Sequence, residues 1–121
     1  MCDKTLVFKI MTETEIPDKN IFMMCEVLNR NSLTKLPASY SIRSCRSDEL
    51  NIWKAMPFDD ANLAQEYDGF MSDYFTTTYG GKEELFFAKT LFVCDLQDRP
   101  IATCLTWKAY DEFNTIQWFK V

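Results

Sequence analysis

The chain has 121 residues, 47% of them apolar and 15% aromatic, which excludes a disordered protein and fits one packed domain able to bury roughly two-thirds of its unfolded surface. Its net charge is −5 and it has no cluster of Lys and Arg, which argues against nucleic acid or an anionic membrane surface as partner. No segment approaches the ~20 consecutive apolar residues of a membrane span, and Met1-Cys2-Asp3-Lys4 does not open an apolar signal stretch.

In chain order, Thr5–Met11 has the composition of a strand, and Pro17-Asp18 can open a helix whose apolar face is Ile21, Phe22, Cys25 and Leu28. Asn29–Pro37 is polar and closes on proline. Residues 1–37 therefore read as a strand–helix appendage with a connector, and residues 38–121 as the main body. There, Tyr40–Cys45 alternates as a strand does. Ser47 is then the expected cap of a helix with Asp48 and Glu49 in its first turn, where the helix dipole favours acids, and with Leu50, Trp53 and Met56 on its apolar face up to Pro57.

Asp59 or Asp60 caps the next expected helix, in which Leu63, Tyr67, Phe70, Met71, Tyr74 and Phe75 recur at helical spacing until Gly80-Gly81. Such a stripe builds core, and Tyr67, Phe70 and Tyr74, with Trp53 and Trp107, are also the candidate wall of an apolar pocket. A short helix over Lys82–Lys89 leads into three strands, Leu91–Asp95, Ile101–Trp107 and Thr115–Val121. The breaks between them, at Gln97–Pro100 and Tyr110–Asn114, predict an antiparallel meander. The fold class is thus α/β (α+β): strand, helix, helix, then a three-stranded meander. Val121 falls inside the last strand with no exit turn, and all three glycines, Gly69, Gly80 and Gly81, precede the meander. The expectation is a sequence that continues.

There is no histidine, and Cys2, Cys25, Cys45, Cys94 and Cys104 form no C-x-x-C pair. Zinc spacings, Ser-His-Asp and Cys-His nucleophile systems and histidine bases are excluded together. Cys94 and Cys104 fall in expected strands and read as core thiols. An odd number of scattered thiols without an export signal points to the reducing cytoplasm.

Tyr40-Ser41-Ile42-Arg43 running into Asp48-Glu49-Leu50, then Leu91–Asp95, Arg99-Pro100-Ile101-Ala102 and Thr115–Val121, resemble in order the N-terminal half of the GNAT (Gcn5-related N-acetyltransferase) superfamily over residues 39–121. The resemblance implies an acyltransferase that moves acetyl from acetyl-CoA to a small-molecule or peptide amine. It also implies that the backbone at Phe119 and Val121 pairs with the pantetheine arm of the coenzyme. In that family a glycine-rich loop and helix N-terminus after the fourth strand hold the diphosphate, and such a loop is not among these residues. Binding of acetyl-CoA by this chain is therefore expected to be weak, and transfer by it absent. The region resembling the acceptor segment holds Met56, Phe58, Asp59 and Asp60. The two acids read either as attractants for a cationic amine or as a helix cap and its dipole-compensating neighbour. A catalytic base is not identified: Thr115, Gln117 and Phe119 on the last strand are not carboxylates, and Asp111 and Glu112 sit where solvated turn acids are common. The alternative function is a non-enzymatic half-domain that assembles with itself, as a homodimer, or with another protein through the open edge of Thr115–Val121.

Overall fold

The computed structural model of the protein describes residues 23–121. The chain divides into two compact units, Met1–Lys35 and Leu36–Val121. The strand expected over Thr5–Met11 lies outside the described residues, as does the first part of the helix expected after Pro17. From Met23 to Leu28 that helix is absent. Met23, Met24, Val27 and Leu28 are all exposed, and a stretch this short does not hold a helix without packing on its apolar face. A 3-10 turn, Arg30–Ser32, follows, with the Asn29 side chain accepting from the Asn31 N–H at 3.2 Å.

The second unit is a four-stranded antiparallel sheet in the order β1 (Ser41–Ser44), β2 (Thr90–Cys94), β3 (Pro100–Ala109), β4 (Phe113–Lys120). Four helices separate β1 from β2: α1 (Leu50–Ala55), α2 (Ala61–Glu66), α3 (Asp68–Tyr79) and α4 (Glu83–Lys89). The mixed helix–strand class and the meander of β2, β3 and β4 match the expectation, with β1 added beside β2.

The local starts differ from the reading of the sequence in two places. Ser47 is not a cap: Ser47–Glu49 forms a 3-10 turn ahead of α1, closed by Glu49 Oε1 accepting from the Arg46 N–H at 2.9 Å. The single helix expected from Asp60 to Gly80 is two, broken at Tyr67. The stripe splits with it. Met71 and Phe75 on α3 are buried, whereas Leu63, Tyr67 and Phe70 are exposed, so the apolar face found its core only where α3 meets the sheet.

That core is mostly aromatic. Trp53, fully buried on α1, meets Phe86 of α4 edge-on at 4.9 Å, Trp118 of β4 at 5.5 Å, and Phe75 and Tyr79 of α3 at 6.3 and 6.2 Å. Tyr79 in turn meets Trp107 of β3 at 4.9 Å. On β2 the alternation puts Thr90, Phe92 and Cys94 in this core and leaves Leu91 exposed. A buried ammonium, Lys54 Nζ, pairs with Asp68 Oδ1 at 2.8 Å and ties α1 to the start of α3.

Both turns of the meander are made without glycine. Between β2 and β3, Asp95 accepts from the N–H groups of Gln97 and Arg99, both at 2.9 Å, and Asp98 takes φ 60°. Pro100 occupies the first position of β3, where a missing N–H is tolerated. Between β3 and β4, Tyr110 and Asp111 have φ 55° and 56° and Glu112 N–H returns to Ala109 O at 3.0 Å. Two positive φ values in succession are the geometry of a type I′ hairpin, for which Asn-Gly is the relaxed sequence.

Two outcomes follow. Trp53→Ala lowers unfolding free energy by about 3–5 kcal/mol in urea titration, a large part of the stability of a domain this size. Tyr110→Asn with Asp111→Gly raises it by about 1 kcal/mol, by relieving left-handed strain at exposed positions.

Candidate functional site

Of the residues singled out in the sequence, the acceptor segment meets the C-terminal end of β4 through Asp59, which pairs with Lys120. Opposite β3, Leu105 pairs with Gln117 and Thr103 with Lys120, so Trp118 and Phe119 together face the single residue Cys104. This is a β-bulge, and Trp118 adopts φ 51° in it. A left-handed conformation at a bulky residue is strained and persists only where surrounding packing holds it. Here the indole is held edge-on by Trp53 at 5.5 Å and by Tyr74 at 5.2 Å.

On the helix side, Met56, Pro57 and Phe58 leave α1, and Phe58 stacks on Tyr67 with ring centres 5.3 Å apart and planes 9° apart. The two acids that follow part company. Asp60 is the cap of α2, its Oδ1 accepting from the N–H groups of Asn62 at 2.6 Å and Leu63 at 3.2 Å. Asp59, exposed, pairs with Lys120 Nζ at 2.5 Å. The candidate acceptor segment is thereby latched to the strand that carries Phe119, while Phe119 and Val121 themselves project into solvent. The outer edge of β4 has no strand partner among the described residues.

A short polar chain runs beneath β4. The buried Tyr79 hydroxyl donates to Gln117 Oε1 at 3.2 Å, Gln117 Nε2 donates to Thr115 Oγ1 at 2.9 Å, and Thr115 Oγ1 donates to Trp107 O at 2.8 Å. Burial pushes the Tyr79 phenol well above its ordinary value, so it stays a neutral donor. Asp111 lies in the β3–β4 turn, its carboxylate exposed and 3.6 Å from Lys82 Nζ, and Glu112 is exposed beside it. Both sit as solvated turn acids.

The three free thiols among the described residues are quiet. Cys94 is buried and Cys104 partly so, and burial raises both above the usual thiol range. Cys45, also buried, is pushed up to about 12 by the same cause. The five aromatics proposed for a pocket do not share one: Trp53 is sealed in the core while Tyr67 and Phe70 are on the surface. Among the described residues no group of three His, Cys, Asp or Glu is placed to hold a metal ion, and no helix is long and apolar enough to cross a membrane.

Residues 39–49 supply a second constellation whose partners the sequence reading missed. Arg43 makes a two-point pair with Glu49, Nη1 to Oε1 at 2.7 Å and Nη2 to Oε2 at 2.9 Å, and its Nε donates to Asp98 Oδ1 at 2.8 Å. Arg46 reaches the other Asp98 oxygen at 3.0 Å. The guanidinium also lies 5.9 Å from the centre of the Phe92 ring. One side chain thus joins β1, the turn into α1 and the β2–β3 turn, with the fork geometry that lysine lacks. An alternating strand followed by acids signals part of this. The partner at Asp98, 55 residues away, carries no such signal.

Compared with protein-family models, with curated proteins and with solved structures, the chain matches none.

Arg43 holds the Glu49 and Asp98 carboxyls below their ordinary values, in each case chiefly through its hydrogen bonds. A carboxyl depressed in the folded state adds stability above its unfolded pKa and forfeits it as pH falls through the folded one. Urea midpoints are therefore flat near neutrality and decline below about pH 5, and Glu49→Gln makes that decline shallower. Arg43→Lys costs about 2 kcal/mol at neutral pH, because the two-point pair is lost while the charge remains.

Proposed function

We propose that residues 39–121 are the N-terminal half of a GNAT-type N-acetyltransferase, and that the outer edge of β4 is where acetyl-CoA lies. The observation that carries this reading is the bulge at Trp118. Bulges interrupt ladder pairing, re-aim side chains and occur next to active sites, and a bulky residue held in a left-handed conformation is the kind of stored strain found at functional positions. The bulge sits on a strand whose far edge is open among the described residues, beside the segment Met56–Asp60 read as acceptor-binding.

In this reading the backbone groups around Phe119 and Val121 form strand-like hydrogen bonds with the pantetheine arm, as peptides do when they add to a sheet edge. Asp59 guides the amine acceptor by exchanging its exposed pair with Lys120, since Asp60 is occupied as a helix cap. A few backbone hydrogen bonds at about 1 kcal/mol each correspond to a Kd on the order of 1 mM. The coenzyme's diphosphate has no glycine-rich loop here to hold it, so turnover by these residues alone is not expected.

A second reading is favoured by one observation: Phe113, Ile116 and Phe119 on the open strand are all exposed. An apolar, unpaired edge is a template for another strand, and the same edge then serves assembly with a second copy or a different protein in place of coenzyme.

Titration calorimetry of acetyl-CoA against the 121-residue chain, with sedimentation of the same sample, separates the two. The acetyltransferase reading expects a monomer that binds acetyl-CoA weakly, and loss of that binding in Phe119→Pro, which removes one backbone N–H. A tight dimer without coenzyme affinity decides for assembly.

A further inference from the structure

A cavity of about 500 Å³ lies between α4 and the β3–β4 hairpin, within the range of small-molecule sites. Lys82, Leu85 and Lys89 reach it at spacings of three and four, the interval that aligns side chains on one helix face. Trp107 and Lys108 of β3 and Ile116 of β4 line it from the sheet, with polar side chains of the hairpin between them. The Trp107 indole is fixed from behind by Tyr79, edge-on at 4.9 Å, so the apolar wall is part of the core and already formed.

The charge of this lining runs against that of the chain. The protein carries −5, yet three lysines and one acid, Asp111, border the cavity. Within Leu36–Val121, Arg43, Arg46, Lys54, Lys82, Arg99 and Lys120 each pair with a carboxylate. Lys89 and Lys108 have no ion-pair partner among the described residues, and both border the same space. The pair that Lys82 makes with Asp111, at 3.6 Å, is the longest of those distances and involves a carboxylate 88% exposed. Exposed pairs of this kind contribute little and are readily exchanged. Two lysines without an ion-pair partner and a third in a weak exposed pair thus border one partly apolar hollow, a surplus of positive charge that an anion would offset.

We propose that this cavity binds a small organic anion, a carboxylate, phosphate or sulfonate carried on a flat apolar body that lies against Trp107. The proposal does not rest on the acetyltransferase reading. Ile116 is three residues of strand from Phe119, about 10 Å along β4, and the rest of the lining lies further toward the hairpin and α4, so the site is separate from the edge at Phe119.

The test is fluorescence titration of the full 121-residue chain with 1-anilinonaphthalene-8-sulfonate and with N-phenyl-1-naphthylamine, which has the same rings without the charge. Saturable sulfonate binding is expected, weakened at least tenfold in Lys89→Ala/Lys108→Ala. Lys89→Arg/Lys108→Arg should restore it, and Lys35→Ala should leave it unchanged. The neutral dye should respond less than twofold to all of these. Lack of saturable sulfonate binding overturns the proposal, as does equal loss of both dyes in the double alanine variant, or loss that arginine does not restore. A parallel titration with acetyl-CoA keeps the two ideas apart: coenzyme binding at the β4 edge is indifferent to the lysine variants and sensitive to Phe119→Pro.

Discussion

Trp53 is the side chain through which the helices and the sheet become one body. Its indole touches α3, α4 and β4 at once, and α1, which carries it, is only six residues long. A helix of that length has no independent stability, so α1 exists because its tryptophan is buried, and α3 and α4 are positioned by the same contact. The dependence reaches the candidate site. Trp118 can hold φ 51° only while Trp53 and Tyr74 grip its ring, since a left-handed tryptophan on an unsupported strand would relax and carry the bulge away with it.

The Arg43 network does for one margin of the sheet what Trp53 does for the centre. β1 is four residues long and pairs on one side with β2, and a strand so short contributes few ladder hydrogen bonds. Arg43 supplements them with charge-assisted bonds to Glu49 and Asp98, which anchor the strand at the helix entry and at the β2–β3 turn simultaneously. The guanidinium spends its donors on two carboxylates and neighbouring backbone carbonyls, leaving it little capacity for a ligand. Arg43 is therefore architectural.

What could be read in the sequence was what depends on period and punctuation. The alternation of β2 and β3, the apolar face at Leu50, Trp53 and Met56, the stop at Gly80-Gly81 and the Asp60 cap all rest on local chemistry, and each stands in the fold. What was not legible depends on partners distant in the chain. Leu63, Tyr67 and Phe70 keep helical spacing with Met71 and Phe75, yet lie outside the core, and the helix that would have carried them as one stripe breaks at Tyr67. Tyr79 and Phe86, both fully buried, belong to different helices on either side of a glycine turn, so no single periodic window shows them as neighbours. Nor does anything in Gln117-Trp118-Phe119 announce a bulge, because the residue that takes the left-handed conformation is a tryptophan where a glycine or asparagine would have signalled it.

The bulge also explains why one strand has two unlike ends. Before it, β4 alternates regularly: Thr115 and Gln117 turn toward Tyr79 and Trp107, and Ile116 turns away. The extra residue at Trp118 and Phe119 breaks that alternation, so Trp118 enters the core directly after Gln117 and Lys120 comes round to meet Asp59. Without the insertion, position 118 would fall on the face of Ile116, and the largest side chain of the strand would leave the core. The cost of a left-handed tryptophan is thus offset by burial of its ring against Trp53. The same irregularity interrupts the ladder to β3 next to the Asp59 contact, while the regular half of the strand runs on to the hairpin. Each end of β4 carries an ion pair to a neighbouring segment, Lys120 to Asp59 beyond the bulge and Asp111 of the hairpin turn to Lys82 ahead of α4, so both the irregular and the regular half of the strand are tied to the helical layer.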